Sequence, residues 1–111
     1  MAVELLFRAL GDPVRLEMVR RLANGEPTTI GSVSRGLQIT RQGARKHLQI
    51  LADAQVIVLE PKGRDTNVRL ERATLAQAKA FIAEVEQRWD ERLEALRQYV
   101  DQDQPTDSKG Q

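Results

Sequence analysis

Four polar side chains fall within six residues, Arg41, Gln42, Arg45 and Lys46. On a helix their spacing turns them away from Ala44, Leu48 and Leu51 and gathers them on the opposite side. A guanidinium can fork onto two acceptors of a purine edge, a carboxamide can pair with an adenine-type donor and acceptor, and an ammonium suits a phosphate oxygen. From Pro27 to Ala52 the chain carries Arg35, Arg41, Arg45 and Lys46 and no acid, the composition of a surface that meets phosphates. A short run of charge is usually a solvated helix face, but that explanation must also account for the missing acids. A second basic pair, Lys62 and Arg64, brackets Gly63.

Bond-breaking chemistry finds no such set. With no cysteine there is no thiol nucleophile, no disulfide and no thiolate metal site. His47 is the only histidine, suited to packing or a phosphate contact rather than to holding a metal. There is no Ser/His/acid arrangement and no glycine-rich phosphate loop, and Asp90, Glu91 and Glu94 read as a solvated helix face. The expectation is a non-enzyme without cofactor or metal.

A length of 111 residues, 41% of them hydrophobic, supplies one small core and therefore one domain. With 30% charged and 4% aromatic residues the composition is that of a soluble, helix-rich protein. No apolar run approaches a membrane span, and MAVELLFRALGD lacks the basic and long apolar regions of a signal peptide, so a cytoplasmic location is expected. The net charge of +1 hides a segregation. Residues 1–72 hold twelve Lys/Arg against eight Asp/Glu, whereas residues 73–111 hold five against eight.

The elements that must position these groups follow from periodicity and caps. Leu5, Leu6, Ala9 and Leu10 form a first short helix that stops at Gly11. Asp12-Pro13 starts a second, whose apolar face (Val14, Met18, Val19, Leu22, Ala23) runs to Asn24-Gly25, and Glu26-Pro27 connects onward. Thr28 or Thr29 caps a third helix around Ile30 and Val33, closing at Arg35-Gly36. After the turn Leu37-Gln38-Ile39, Thr40 caps a fourth that runs to Ala52. Val56–Leu59 and Thr66–Leu70 read as two strands joined through Pro61-Lys62-Gly63-Arg64-Asp65, with the proline placing its strand at a sheet edge.

Residues 73–101 contain neither Gly nor Pro, and Leu75, Ala78, Ile82, Val85, Trp89, Leu93, Leu96 and Val100 recur in steps of three and four. Such a helix would be roughly 40 Å long, more than a small domain covers, so part of its stripe needs a second copy of the chain. The two successive steps of four around Trp89 break a heptad, favouring a packed helix pair over an extended coiled coil. Large residues such as Trp89 and Tyr99 fit a dimer core better than an effector pocket.

Three helices with a short turn before a fourth, then a basic hairpin and a long helix, have the order of a winged helix-turn-helix, a mainly helical α+β fold. The expected partition is one such domain over residues 1–101, with a small two-stranded β-hairpin wing, dimerisation helices at 1–10 and 73–101, and a disordered polar tail at 102–111. FRALGDPVRLEMVRRLANGE, TRQGARKHLQILADAQVI and EPKGRDTNVRL together resemble the ArsR-type repressors over Phe7 to Leu70. The last helix, with Trp89, Arg92, Leu93, Leu96 and Tyr99, is similar to a subgroup without a recognised metal site. The resemblance implies a homodimer joined by its first and last helices, placing Leu6, Leu10, Ile82, Val85, Trp89, Leu93 and Leu96 at the interface. It implies double-stranded DNA as partner, with Arg41, Gln42 and Arg45 toward bases, Lys46, His47, Lys62 and Arg64 near phosphates, and Thr40 at the start of the recognition helix. It also implies repression relieved by an unidentified effector molecule or protein.

Two departures from the family pattern stand out. Thr28-Thr29 occupies a place where metal-sensing members carry cysteines, which argues against transition-metal sensing. The wing carries Asp65, Thr66 and Asn67 instead of aromatics, and Asp65 would repel DNA unless paired with Arg64. The expected function is a sequence-specific transcriptional repressor on an inverted-repeat operator. The rival is a winged-helix module that binds protein, which the acid-free run disfavours.

Overall fold

The computed structural model describes residues 3–25 and 28–103. Its elements are α1 (Val3–Leu10), α2 (Pro13–Ala23), β1 (Thr28–Thr29), α3 (Ile30–Ser34), α4 (Arg41–Asp53), β2 (Ile57–Lys62), β3 (Asp65–Leu70) and α5 (Arg72–Asp103). Two units part after Ala78, a winged unit before it and the remainder of α5 beyond it. No helix among the described residues is long and apolar enough to cross a membrane.

Local chemistry sets the ends of the helices. Asp12 accepts the backbone N–H groups of Val14 and Arg15 at 2.9 and 3.0 Å, and Pro13, lacking an N–H, opens α2 without cost. Of the two threonines expected to cap α3 it is Thr29 that does so, accepting from Ser32 N–H at 3.2 Å. Thr40 caps α4 by accepting from Gly43 N–H at 2.9 Å. The far end of α4 closes with Val56 N–H on Leu51 carbonyl and Gln55 N–H on Ala52 carbonyl, both at 2.9 Å, while Gln55 takes a left-handed φ of 61°. This is a Schellman closure, with a glutamine where glycine is usual.

Leu6, Met18, Val33, Leu48, Leu51, Val56 and Val68 are fully buried and draw the helices and the sheet onto one core. Helix α1 packs on α2 and α4, and α4 packs on β2. The expected two-stranded hairpin carries a third strand, since Thr28 and Thr29 pair with Val68 and Asn67 in a sheet of order β1-β3-β2. The hairpin is also longer than expected. Lys62 pairs with Asp65, so only Gly63 and Arg64 form its loop, and the φ of 64° at Gly63 explains the glycine. Pro61 sits in β2, an edge strand, where its missing N–H is tolerated. The expected tail begins at Gln102, yet Gln102 and Asp103 belong to α5; the rest of it, like the Glu26-Pro27 connector, lies outside the described residues.

Candidate nucleic-acid interface

Helix α4 divides its residues as the spacing required. Ala44, Leu48 and Leu51 are buried, while Thr40, Arg41, Gln42, Arg45 and Lys46 are exposed. Arg41 and Arg45 line an open, polar cleft of about 420 Å³ together with Thr40 and Ala44, with Thr29, Gly31 and Ser34, and with Arg64, Asp65 and Thr66 of the wing. The fold thus brings the start of α4 and the tip of the hairpin to one concavity. Lys62, also exposed, lies on the same hairpin but does not line the cleft.

Among the described residues, Arg41, Arg45, Lys46, Lys62 and Arg64 form no ion pair and no side-chain hydrogen bond. Asp65, which would repel DNA unless paired with Arg64, is likewise without an ion pair among the described residues. The arginines of α2 behave differently. Arg15 Nε donates to Ala9 carbonyl at 2.6 Å, and Arg21 Nη1 donates to the carbonyls of Val33 and Arg35 at 3.2 and 2.6 Å, tying α2 to the end of α3. Composition shows arginines of one kind; the fold makes internal clips of some and leaves others free.

His47 is not on the outward face. Its ring is partly buried, with Nδ1 3.1 Å from Arg15 Nη1 and 3.8 Å from Asp12 Oδ2, so packing against α2, rather than a phosphate, explains it. Thr40 keeps its hydroxyl on the cap, which leaves the exposed part of the residue to face a partner. Gly43 stands close to the same cap: a Cβ there would lie 3.1 Å from Thr40 Oγ1, so the threonine would have to give by a few tenths of an ångström.

The residues expected at an interface between copies separate into two groups. Leu6 is fully enclosed by the chain's own core and has no surface to offer a partner; its neighbour Leu5 is the exposed leucine of α1. Leu10 is half-buried against the same core. Ile82, Val85, Trp89, Leu93 and Leu96, by contrast, are between 44% and 57% exposed. Sequence reasoning passes over Arg15, whose bond with His47 spans 32 positions and leaves no local signal. No group of His, Cys, Asp and Glu able to hold a metal ion occurs among the described residues.

A family model described as a helix-turn-helix domain matches residues 10–60. No curated protein matches the chain in sequence. An ArsR-like transcriptional regulator from Rhodococcus sp. RHA1 is 27% identical with a TM-score of 0.74, the match covering 86% of this chain and 90% of that one. The crystal structure of an ArsR family transcriptional regulator is similar at 26% identity and a TM-score of 0.74, covering 79% of this chain and 96% of the other. The homodimeric winged helix-turn-helix DNA-binding domain of a possible ArsR-family regulator from Mycobacterium bovis is 22% identical, with a TM-score of 0.61 and coverage of 84% and 82%. The fold and the cleft define a winged helix-turn-helix protein. More particularly, it is similar to solved ArsR-family transcriptional regulators.

Proposed function

We propose that the chain is a transcriptional repressor that binds an inverted-repeat operator as a homodimer. The observation that carries this reading is the set of unpaired cations on the start of α4 and the wing, three of which share one polar cleft. Unpaired, exposed cations attract a polyanion, and the N-terminal end of α4 adds its partial positive charge on the same side. Arg41, Gln42 and Arg45 face base edges in the major groove; Lys46, Lys62 and Arg64 contact phosphates. The exposed stripe of α5 from Ile82 to Leu96 supports pairing of two copies. A two-fold pair of recognition helices meets successive major grooves, which sets half-sites about 10 bp apart.

The test is competition binding between a duplex selected from a random pool by the wild-type protein and poly(dI-dC), at two salt concentrations. Alanine at Lys46, Lys62 or Arg64 should weaken both DNAs alike and reduce the salt slope by roughly one unit for each phosphate no longer neutralised. If the pool yields no duplex that competes better than poly(dI-dC), the repressor reading fails and the basic face binds something other than specific DNA.

A further inference from the structure

Arg15 lies in the first turn of α2 and joins three helices. Its Nε donates to the Ala9 carbonyl near the end of α1 at 2.6 Å, and its Nη1 stands 3.1 Å from His47 Nδ1 in the middle of α4. A guanidinium has no acceptor, so Nη1 donates and the Nδ1 lone pair accepts, which leaves the ring proton on Nε2. Asp12 holds the other side of the arrangement by taking the Arg15 backbone N–H at 3.0 Å, with its Oδ2 3.8 Å from the same imidazole nitrogen. None of these groups belongs to the outward cation face.

We infer that His47 and Arg15 are positioning residues that fix the rotation of α4 about its own axis; the inference rests on α4 being the helix that reads DNA. Ala44, Leu48 and Leu51 bury one stripe of α4 and set how deeply it sits. Apolar contact is non-directional and resists a roll of the helix weakly, whereas a hydrogen bond at the flank of the stripe weakens steeply with angle. Arg41 and Arg45 project from the helix that His47 pins, and direct readout needs side chains held within about 0.5 Å and 10–20°. Flexible lysines on phosphates tolerate such a roll. Removing the latch therefore costs discrimination between sequences while general DNA affinity stays.

The experiment uses the full chain and two substitutions. His47→Leu keeps bulk and removes the acceptor; His47→Gln supplies a neutral acceptor. Affinity for the duplex selected by the wild type should fall about tenfold in His47→Leu, while affinity for poly(dI-dC) should change less than about twofold and His47→Gln should recover most of the loss. Amide hydrogen exchange of Ala44 to Leu51, measured without DNA, should quicken in His47→Leu and not in His47→Gln. The inference is overturned if His47→Leu keeps wild-type discrimination, or if His47→Gln loses as much as His47→Leu. If the wild type itself selects no duplex, the DNA-reading role of α4 has failed, and the exchange arm decides the latch alone: quickening confined to His47→Leu supports it, and unchanged exchange overturns it.

Discussion

Leu48 and Leu51 of α4 are fully buried, whereas Leu93 and Leu96 of α5, set at the same interval, are 44% and 57% exposed. The cations of the two helices are disposed in the opposite sense. Arg41 and Arg45 have no side-chain partner among the described residues, while Arg88 and Arg97 are held by Glu84 and Glu94 at 3.1 and 3.7 Å. Helix α4, which hides its leucines and leaves its two arginines free, is complete in its core and unsatisfied in charge. The far part of α5 pairs two of its arginines and leaves its leucines in water. One region lacks an anion, the other an apolar partner, and a single helical spacing rule describes both.

The largest effect that could break this comparison lies in α5. Leu93→Glu with Leu96→Glu should cost the dimer about 3–6 kcal/mol, the remaining burial of two half-exposed leucines in each protomer, and leave a monomer at micromolar concentration by sedimentation. The monomer should keep its helix content, because neither leucine is in the core of the winged unit. A double variant that still sediments as a dimer would mean that α5 is not the pairing surface.

The cations come next. Arg41→Ala or Arg45→Ala should weaken binding to the selected duplex by about 1–3 kcal/mol and flatten the preference at particular base positions. Arg88→Ala, removing a cation that already has an acid, should leave DNA binding unchanged in the same titration. Equal losses for Arg41→Ala and Arg88→Ala would show that pairing does not separate reading arginines from structural ones.

What is legible in the sequence is whatever repeats within a few residues. The stripe of α4, its cap at Thr40 and the split between Ala44 and Arg45 all follow from helical period, and the structure keeps them. Two neighbouring leucines, Leu5 and Leu6, both fit the first helix's pattern; which one enters the core depends on α2 and α4, so neither period nor the resemblance that offered Leu6 to a partner separates them. A strand of two residues, Thr28 and Thr29, is too short to alternate and exists only because Asn67 and Val68 lie beside it. By spacing His47 is one more group on a basic helix; only Arg15 and Asp12, brought around it by the fold, give it a different role.

Asp12 sharpens the account of the winged unit by showing how much depends on one cap. Its carboxyl is held below the ordinary value of 3.8, chiefly by the backbone N–H of Arg15, aided by the Arg15 guanidinium and opposed by partial burial. A carboxyl with a lower value in the folded chain than in the unfolded one stabilises the fold above the unfolded value, and that stabilisation is lost as pH falls through the folded one. Asp12→Ala should therefore cost about 1 kcal/mol in urea unfolding near neutral pH, and the gap to wild type should narrow as pH drops below 3.8. A gap that stays constant down the acid range would mean that the carboxylate charge contributes nothing to the cap.

The smallest effect tests the far end of α4. Gln55 holds a φ of 61° so that α4 can turn into β2, and its N–H and that of Val56 close the last carbonyls of the helix. A side chain in the left-handed region crowds its own backbone, a cost that glycine escapes, although glycine also gives the unfolded chain more freedom to lose. The balance favours glycine where φ is positive, so Gln55→Gly should raise stability by about 0.5–1 kcal/mol, read as a higher urea midpoint with an unchanged slope. Gln55 sits beyond the helix that carries Arg41 and Arg45, and DNA binding at temperatures where both proteins are folded should not change. Gln55→Ala, which keeps a Cβ, should gain nothing. A loss of stability in Gln55→Gly would mean that the glutamine side chain contributes more than the strain of its backbone, through its place beside Gln49, Ile57 and Gln77 in the cleft of about 630 Å³ behind α4.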